Sequence, residues 1–140
     1  MERSRVSQQI QQLIERYSFL EELARQLEER LKLLETLYNE LTTTISVVEE
    51  IGKMDSERDT LVPIGSSVYV FARIKEVDKV LLGVGANVFL EKKPEEAVEH
   101  LMVRRNEVVK ELGNLRNQLS SVLGELEKIR GILQSLSRAP

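Results

Sequence analysis

His100 is the only histidine and there is no cysteine. Within one chain, therefore, neither a paired metal site, nor a Ser/His/Asp arrangement, nor a thiolate nucleophile can be built. The acidic pairs Glu21/Glu22, Glu28/Glu29 and Glu49/Glu50 are neighbours on a helix and diverge by about 100 degrees, so they are solvated faces rather than an acid/base couple. Gly83–Val84–Gly85 has no following lysine and no helix N-terminus aimed at it, which argues against phosphate binding. No enzyme chemistry, cofactor or metal is expected. The chemistry that remains is burial. Val6, Ile10, Leu13 and Ile14 near one terminus, with Ile129, Ile132, Leu133 and Leu136 near the other, could cover exposed apolar segments of another chain at roughly 25 cal/mol per Å².

Two heptad ladders position these residues. The first runs Val6, Ile10, Leu13, Tyr17, Leu20, Ala24, Leu27, Leu31, Leu34, Tyr38, Leu41, Ile45, Val48. The second runs Val98, Leu101, Arg105, Val108, Leu112, Leu115, Leu119, Val122, Leu126, Ile129, Leu133, Leu136. Steps of three and four alternate, placing an apolar seam along one face of a long α-helix, and such a seam requires a partner helix. The ladders are similar in length and joined by a β-like segment, so each is expected to fold back antiparallel on the other. Setting Val48 against Val98 pairs a with d positions throughout: Ile45 with Leu101, Leu34 with Leu112, Leu27 with Leu119, Leu20 with Leu126, Leu13 with Leu133, Ile10 with Leu136. Val6 then faces Pro140. Helices over Glu2 to Lys53 and Glu95 to Ser137 would be roughly 80 and 65 Å long at about 1.5 Å per residue.

Where the paired helices end, the last layer has neighbours on one side only and terminal backbone groups lack partners, so seam residues there become available. Ile14 at an e position and Ile132 at a g position lie off the strict seam. Phe19, at an outer c position, either extends that surface or is a solitary exposed apolar group. Gly113, Gly124 and Gly131 fall outside the seam and each costs about 1 kcal/mol of helix stability relative to alanine, softening the helix either adaptively or by drift. Arg105 is the only charged residue in either ladder. Opposite Leu41, it is expected to bury its stem, extend its guanidinium toward Glu40 and set the register. His100, near the base of the second helix, is expected to be capping or solvated.

Composition fits a soluble interaction protein, with 31% charged and 4% aromatic residues, as expected when surface dominates over core. The absence of cysteine suits a reducing compartment, and Met1 is followed at once by charged residues, so a cytoplasmic location is expected, without secretion. No apolar run approaches the roughly 20 residues needed to span a bilayer. The net charge of −3 is small and intermixed, arguing against a nucleic-acid partner.

Between the ladders, alternation and turn signals predict four short strands, at about Leu61 to Ile64, Ser67 to Ile74, Lys79 to Val84 and Asn87 to Lys92, with both faces at least partly buried. Gly65 with Ser66 turns the first hairpin, Gly83 and Gly85 bracket the second bend, and Lys75 to Lys79 links the two. Isolated hairpins are marginal in water, so these are expected to pair with hairpins of other chains through Val68, Val70, Ile74, Val80, Leu82, Val84, Val88 and Leu90. Pro63 suits an edge position. Pro94 opens the second helix, with Glu95 and Glu96 near the positive end of its dipole.

The long N-terminal heptads, the two hairpins and the segment LVPIGSSVYVFARIKEVDKVLLGVGANVFLEKK (Leu61 to Lys93) together resemble the prefoldins, specifically the alpha class of subunit, over essentially the whole chain. The resemblance implies a hexamer of two alpha and four beta subunits, whose hairpins form a double β-barrel body carrying coiled-coil tentacles. It also implies tips that hold non-native polypeptides without ATP and deliver them to a group II chaperonin in the cytosol, in a form more archaeal than eukaryotic. The expected fold is mainly α with a small β part: an N-terminal coiled-coil helix (1–54), two β-hairpins (55–93) and a C-terminal coiled-coil helix (94–140). The rival reading is an adaptor coiled coil joining two folded partners.

Overall fold

The computed structural model describes residues 2–75 and 78–138. Six elements follow in order: α1 (Glu2–Gly52), β1 (Arg58–Gly65), β2 (Val68–Ile74), β3 (Val80–Gly85), β4 (Val88–Lys92) and α2 (Pro94–Arg138). The fold is mainly helical with two small antiparallel hairpins, as the patterning predicts. The chain divides into a helical unit of residues 2–37 and 108–138 and a hairpin unit of residues 38–107.

In the helical unit the seam forms the core. Leu20, Ala24, Leu27 and Leu31 of α1 and Leu112, Leu115, Val122, Leu126 and Ile129 of α2 are buried. The flanking ion pairs report the alignment independently. Arg16 Nε donates to Glu125 Oε1 at 3.1 Å and Arg30 Nε to Glu111 Oε1 at 3.0 Å, each pair joining two g positions, while Arg116 Nη2 donates to Glu35 Oε1 at 3.4 Å between two e positions. These pairs lie symmetrically on the two sides of the a–d seam that sets Leu20 against Leu126, as an antiparallel coil requires. Exposed pairs of this kind contribute at most about 1 kcal/mol each; they specify register more than stability. Tyr17, a seam residue, keeps its hydroxyl at the edge, where it accepts from Arg130 Nη2 at 3.0 Å and raises the guanidinium's pKa. A Leu27→Cys, Leu119→Cys chain should oxidise to an intramolecular disulfide, detected as a mobility shift without reductant; a crosslink that forms only with a partner one turn away would contradict the register. The expected pairing of Val6 with Pro140 lies outside the described residues.

In the hairpin unit the seam residues Leu41, Ile45, Val48 and Leu101 are buried. Arg105 takes a different course from the one expected. Its guanidinium lies 6.0 Å from the Tyr38 ring centroid and Nη1 donates to Thr42 Oγ1 at 3.4 Å. Thr42 is at an e position beside the seam, whereas Glu40 is at c on the outer surface. Gly52, where the ladder stops, packs against Pro94: a Cβ on Gly52 would lie 3.1 Å from that of Pro94. Pro94 is itself buried, and α2 begins there because proline's fixed φ suits the first turn, the first helical bond running from Ala97 N–H to Lys93 O at 3.0 Å.

The two hairpins are separate two-stranded sheets. Each turns through two consecutive positive-φ residues, Ser66 and Ser67 (48° and 64°) or Ala86 and Asn87 (50° and 59°), preceded by Gly65 or Gly85 near 120°. Positive φ at both central residues gives the twist that matches right-handed strands. β1 starts at Arg58, earlier than Leu61, because Asp59 and Arg73 are cross-strand partners and Arg73 Nε donates to Asp59 Oδ1 at 2.9 Å. Gly83 is not part of the second bend. It lies within β3, paired with Phe89, whose ring covers it at 3.1 Å from where a Cβ would stand. The linker predicted at Lys75 to Lys79 lies partly outside the described residues.

Candidate functional site

The first candidate surface is the free end of the helical unit. Seam burial fades along it. Leu20 is 2% exposed, Tyr17, Leu13 and Ile10 are half-buried, and Val6 reaches 42%. On α2, Ile129 is buried whereas Leu133 and Leu136 are half-buried. The off-seam residues stand clear, Ile14 at 51% and Ile132 at 47% exposed. Ile129 thus belongs to the core of the hairpin, available only if the end opens, and Val6, Ile14 and Ile132 form the exposed part of the predicted set. Phe19 is exposed too, with the Arg16 guanidinium 5.6 Å from its ring centroid. That cation–π contact gives the solitary aromatic a local partner. Around Gly113, Gly124 and Gly131 there is nothing within 4 Å of an added Cβ, so these glycines relieve no crowding.

The second surface is formed by the hairpins, and it differs from the expectation of strands partly buried on both faces. Among the described residues Leu82 is the one strand residue buried within its own chain. Pairing puts Val62, Val68 and Val70 on one face of the first hairpin and Leu61, Tyr69 and Phe71 on the other. In the second hairpin Val80, Leu82, Val84, Val88 and Leu90 share one face and Leu81 and Phe89 the other. All eight predicted interface residues lie on the even-numbered faces, where Val68, Val70, Val84, Val88 and Leu90 are exposed and Ile74 and Val80 half-buried. Leu82 must be removed from a free interface, because its side chain is already covered in its own chain.

The odd-numbered faces were missed. Phe71 is 92% exposed, Leu81 70% and Phe89 62%, with Leu61 and Tyr69 also exposed. Alternation supplied the signal, since Leu61, Tyr69, Phe71, Leu81 and Phe89 are as apolar as the residues between them. Hairpins apolar on both faces expose contiguous patches of the kind that mark interaction sites.

Two contacts unseen in the sequence fasten the second hairpin to α2. Arg104 Nη2 donates to the Gly83 carbonyl at 2.5 Å, and Leu82, Val84 and Leu90 share a groove with His100 and Val103 of α2. His100 is half-buried in that groove rather than at a helix end. Among the described residues there is no cluster of carboxylate or imidazole groups able to hold a metal ion, and no helix is long and apolar enough to cross a membrane.

A family model described as "Prefoldin subunit" matches residues 20–139. A prefoldin subunit alpha from Thermofilum pendens is 31% identical over 129 residues, covering 92% of this chain and all of that protein. One from Methanococcoides burtonii is 33% identical over 93 residues, 64% of this chain and 67% of that protein. Among solved structures, a chain of the filamentous prefoldin from Methanocaldococcus jannaschii superposes with a TM-score of 0.72 at 19% identity, covering 84% of this chain and 97% of that one. At that identity the likeness speaks for the fold, two long helices and two small hairpins. Helices, hairpins and sequence thus point the same way, and the chain belongs to the prefoldin family, a family of chaperone co-factors.

Proposed function

We propose that this chain is the alpha-class subunit of an ATP-independent holdase. It assembles through its hairpins with beta-class subunits, two alpha with four beta, captures non-native polypeptides at the free ends of α1 and α2, and delivers them to a group II chaperonin in the cytoplasm. The observation that carries capture is the exposure of Val6, Ile14 and Ile132 beside seam layers whose burial is already fading. A surface of single apolar side chains at the end of a helix pair has no fixed shape to complement. It therefore suits extended apolar segments of many sequences rather than one folded partner. Each contact is weak, and several subunits in one assembly would multiply them through effective concentration.

Assembly is supported by the hairpins. Two-stranded sheets are marginal in water, and these present open edges with apolar side chains on both faces. Strand addition between subunits would satisfy the edges and bury the side chains together.

Light scattering during dilution of a chemically denatured protein tests capture, using the assembled subunits without nucleotide. Suppression of aggregation that is lost on deleting residues 1–13 and 132–140 is the expected result. Unchanged aggregation in the presence of an intact assembly would favour a coiled-coil adaptor that joins folded partners.

A further inference from the structure

Charge changes sign along the helical unit. Residues 2–16 of α1 carry three arginines against two glutamates, and residues 128–138 of α2 carry Lys128, Arg130 and Arg138 with no carboxylate, so the free end has a net charge of +4. The remainder of the unit, residues 17–37 and 108–127, has eight carboxylates against five cations, a net −3. All six cations of the free end are exposed. Ion pairing accounts for two of them: Arg16 meets Glu125 at 3.1 Å and Arg130 meets Glu127 at 3.6 Å. Among the described residues the other four, Arg3, Arg5, Lys128 and Arg138, have no ion-pair partner.

Helix stability explains only one of these four. Arg138 is in the last turn of α2, where a cation suits the negative end of the dipole; that effect is confined to the terminal turn, and Lys128 lies well before it. Arg3 stands in the first turn of α1, where the positive end of the dipole disfavours a cation. The cations instead accompany exposed apolar side chains. Lys128 is four residues before Ile132 and Arg3 three before Val6, spacings that share a helix face. Arg130 reaches Tyr17, three residues after Ile14, by donating from Nη2 to the hydroxyl at 3.0 Å. Glu2, four residues before Val6, offsets Arg3 in part, but no carboxylate lies at these spacings from Ile14 or Ile132. We propose that the free end selects among non-native polypeptides, taking apolar segments flanked by aspartate or glutamate in preference to those flanked by lysine or arginine. An apolar side chain of the client packs on Val6, Ile14 or Ile132, and a carboxylate beside it meets an unpaired cation within the Debye length of about 8 Å at physiological salt. The net negative remainder of the unit repels the same segment and keeps it at the end. Spaced around apolar side chains rather than gathered in a stripe, the cations suit a polypeptide better than a nucleic-acid backbone.

This inference rests on the capture reading above, and one set of probes separates the two. A reduced, fluorescently labelled protein is alkylated at its cysteines to give carboxymethyl (negative), carbamidomethyl (neutral) or aminoethyl (positive) forms of the same unfolded chain, and binding to the assembled subunits is read by anisotropy without nucleotide. Failure of all three forms to bind contradicts capture itself. The deciding quantity is the affinity ratio of the carboxymethyl to the aminoethyl form, compared between wild type and a chain carrying Arg3→Gln, Arg5→Gln, Lys128→Gln and Arg138→Gln. These side chains are exposed, so assembly mass and affinity for the neutral form should hold. At about 50 mM salt the ratio should fall at least about fivefold in the variant, and the difference should close at about 1 M, where the Debye length is about 3 Å. An unchanged ratio overturns the proposal, and if labelled polyuridylate then binds wild type but not the variant, the cations serve a nucleic acid instead. If the quadruple variant fails to assemble, Lys128→Gln with Arg138→Gln decides by the same ratio, which should still fall at least about twofold.

Discussion

A chain carrying Phe71→Asp and Leu81→Asp together is expected to stay unassembled when mixed with its partner subunits. Both side chains are exposed in the single chain, at 92% and 70%, so the substitutions remove nothing from its own core and helix content by circular dichroism should be unchanged. Burying each new carboxylate against apolar strands of a neighbour without a partner charge costs several kcal/mol. At 1.4 kcal/mol per factor of ten, association should weaken by at least about a thousandfold. Native mass spectrometry gives the result directly, and an assembly of wild-type mass would show that the odd-numbered faces are not buried between subunits.

Leu20→Ala should act on the opposite property, stability without assembly. Leu20 is the largest fully buried side chain, set against Leu126 in the seam. Removing a buried leucine side chain costs about 2–5 kcal/mol through lost transfer energy and residual cavity. Ile14→Ala, at a half-exposed position nearer the terminus, should cost about 0.5 kcal/mol or less. Urea midpoints followed by helix signal separate the two variants; equal shifts would mean that the seam does not end where its burial fades. A smaller effect belongs to the same surface: Arg25 hydrogen-bonds to both Glu22 and Glu29 and holds the Glu22 carboxyl below the usual carboxylate range. That contribution is present above the ordinary carboxylate pKa and fades as pH falls through the lowered one. Full exposure keeps it small.

The helices were legible because a seam repeats. Every layer from Ile10 to Val48 restates the same period, and a register inferred from seam residues alone is supported by ion pairs at g and e positions that played no part in inferring it. The hairpins were legible in number and turn position, since Gly65 and Gly85 punctuate alternating apolar residues. What the sequence hid were single-copy events. Gly83 has the same composition signal as a turn glycine, and only the pairing with Phe89 shows that it is a strand residue lying beneath an aromatic ring. Arg104 and Arg105 are adjacent and chemically alike, yet about 100 degrees of helix rotation sends one to the Gly83 carbonyl and the other to Tyr38 and Thr42.

The candidate surfaces show the same division. Apolar residues off the seam could be named from heptad position, and the two so named, Ile14 and Ile132, are exposed. Which face of a hairpin is covered could not, because alternation is symmetric when both faces are apolar. Leu82 and Leu81 differ only by pleat, and it took α2 beneath the second hairpin to bury one at 7% and leave the other at 70%.

The most direct test of the account is the affinity of the assembled subunits for a permanently unfolded polypeptide, such as a reduced and carboxymethylated protein carrying a fluorophore, read by anisotropy. Wild type is compared with Val6→Ser, Ile14→Ser, Ile132→Ser combined. Each loss of apolar contact is worth about 1 kcal/mol, so binding should weaken by at least about tenfold while assembly mass and thermal midpoint hold. Equal affinity for the unfolded chain, with the assembly intact, would contradict capture at the helix ends.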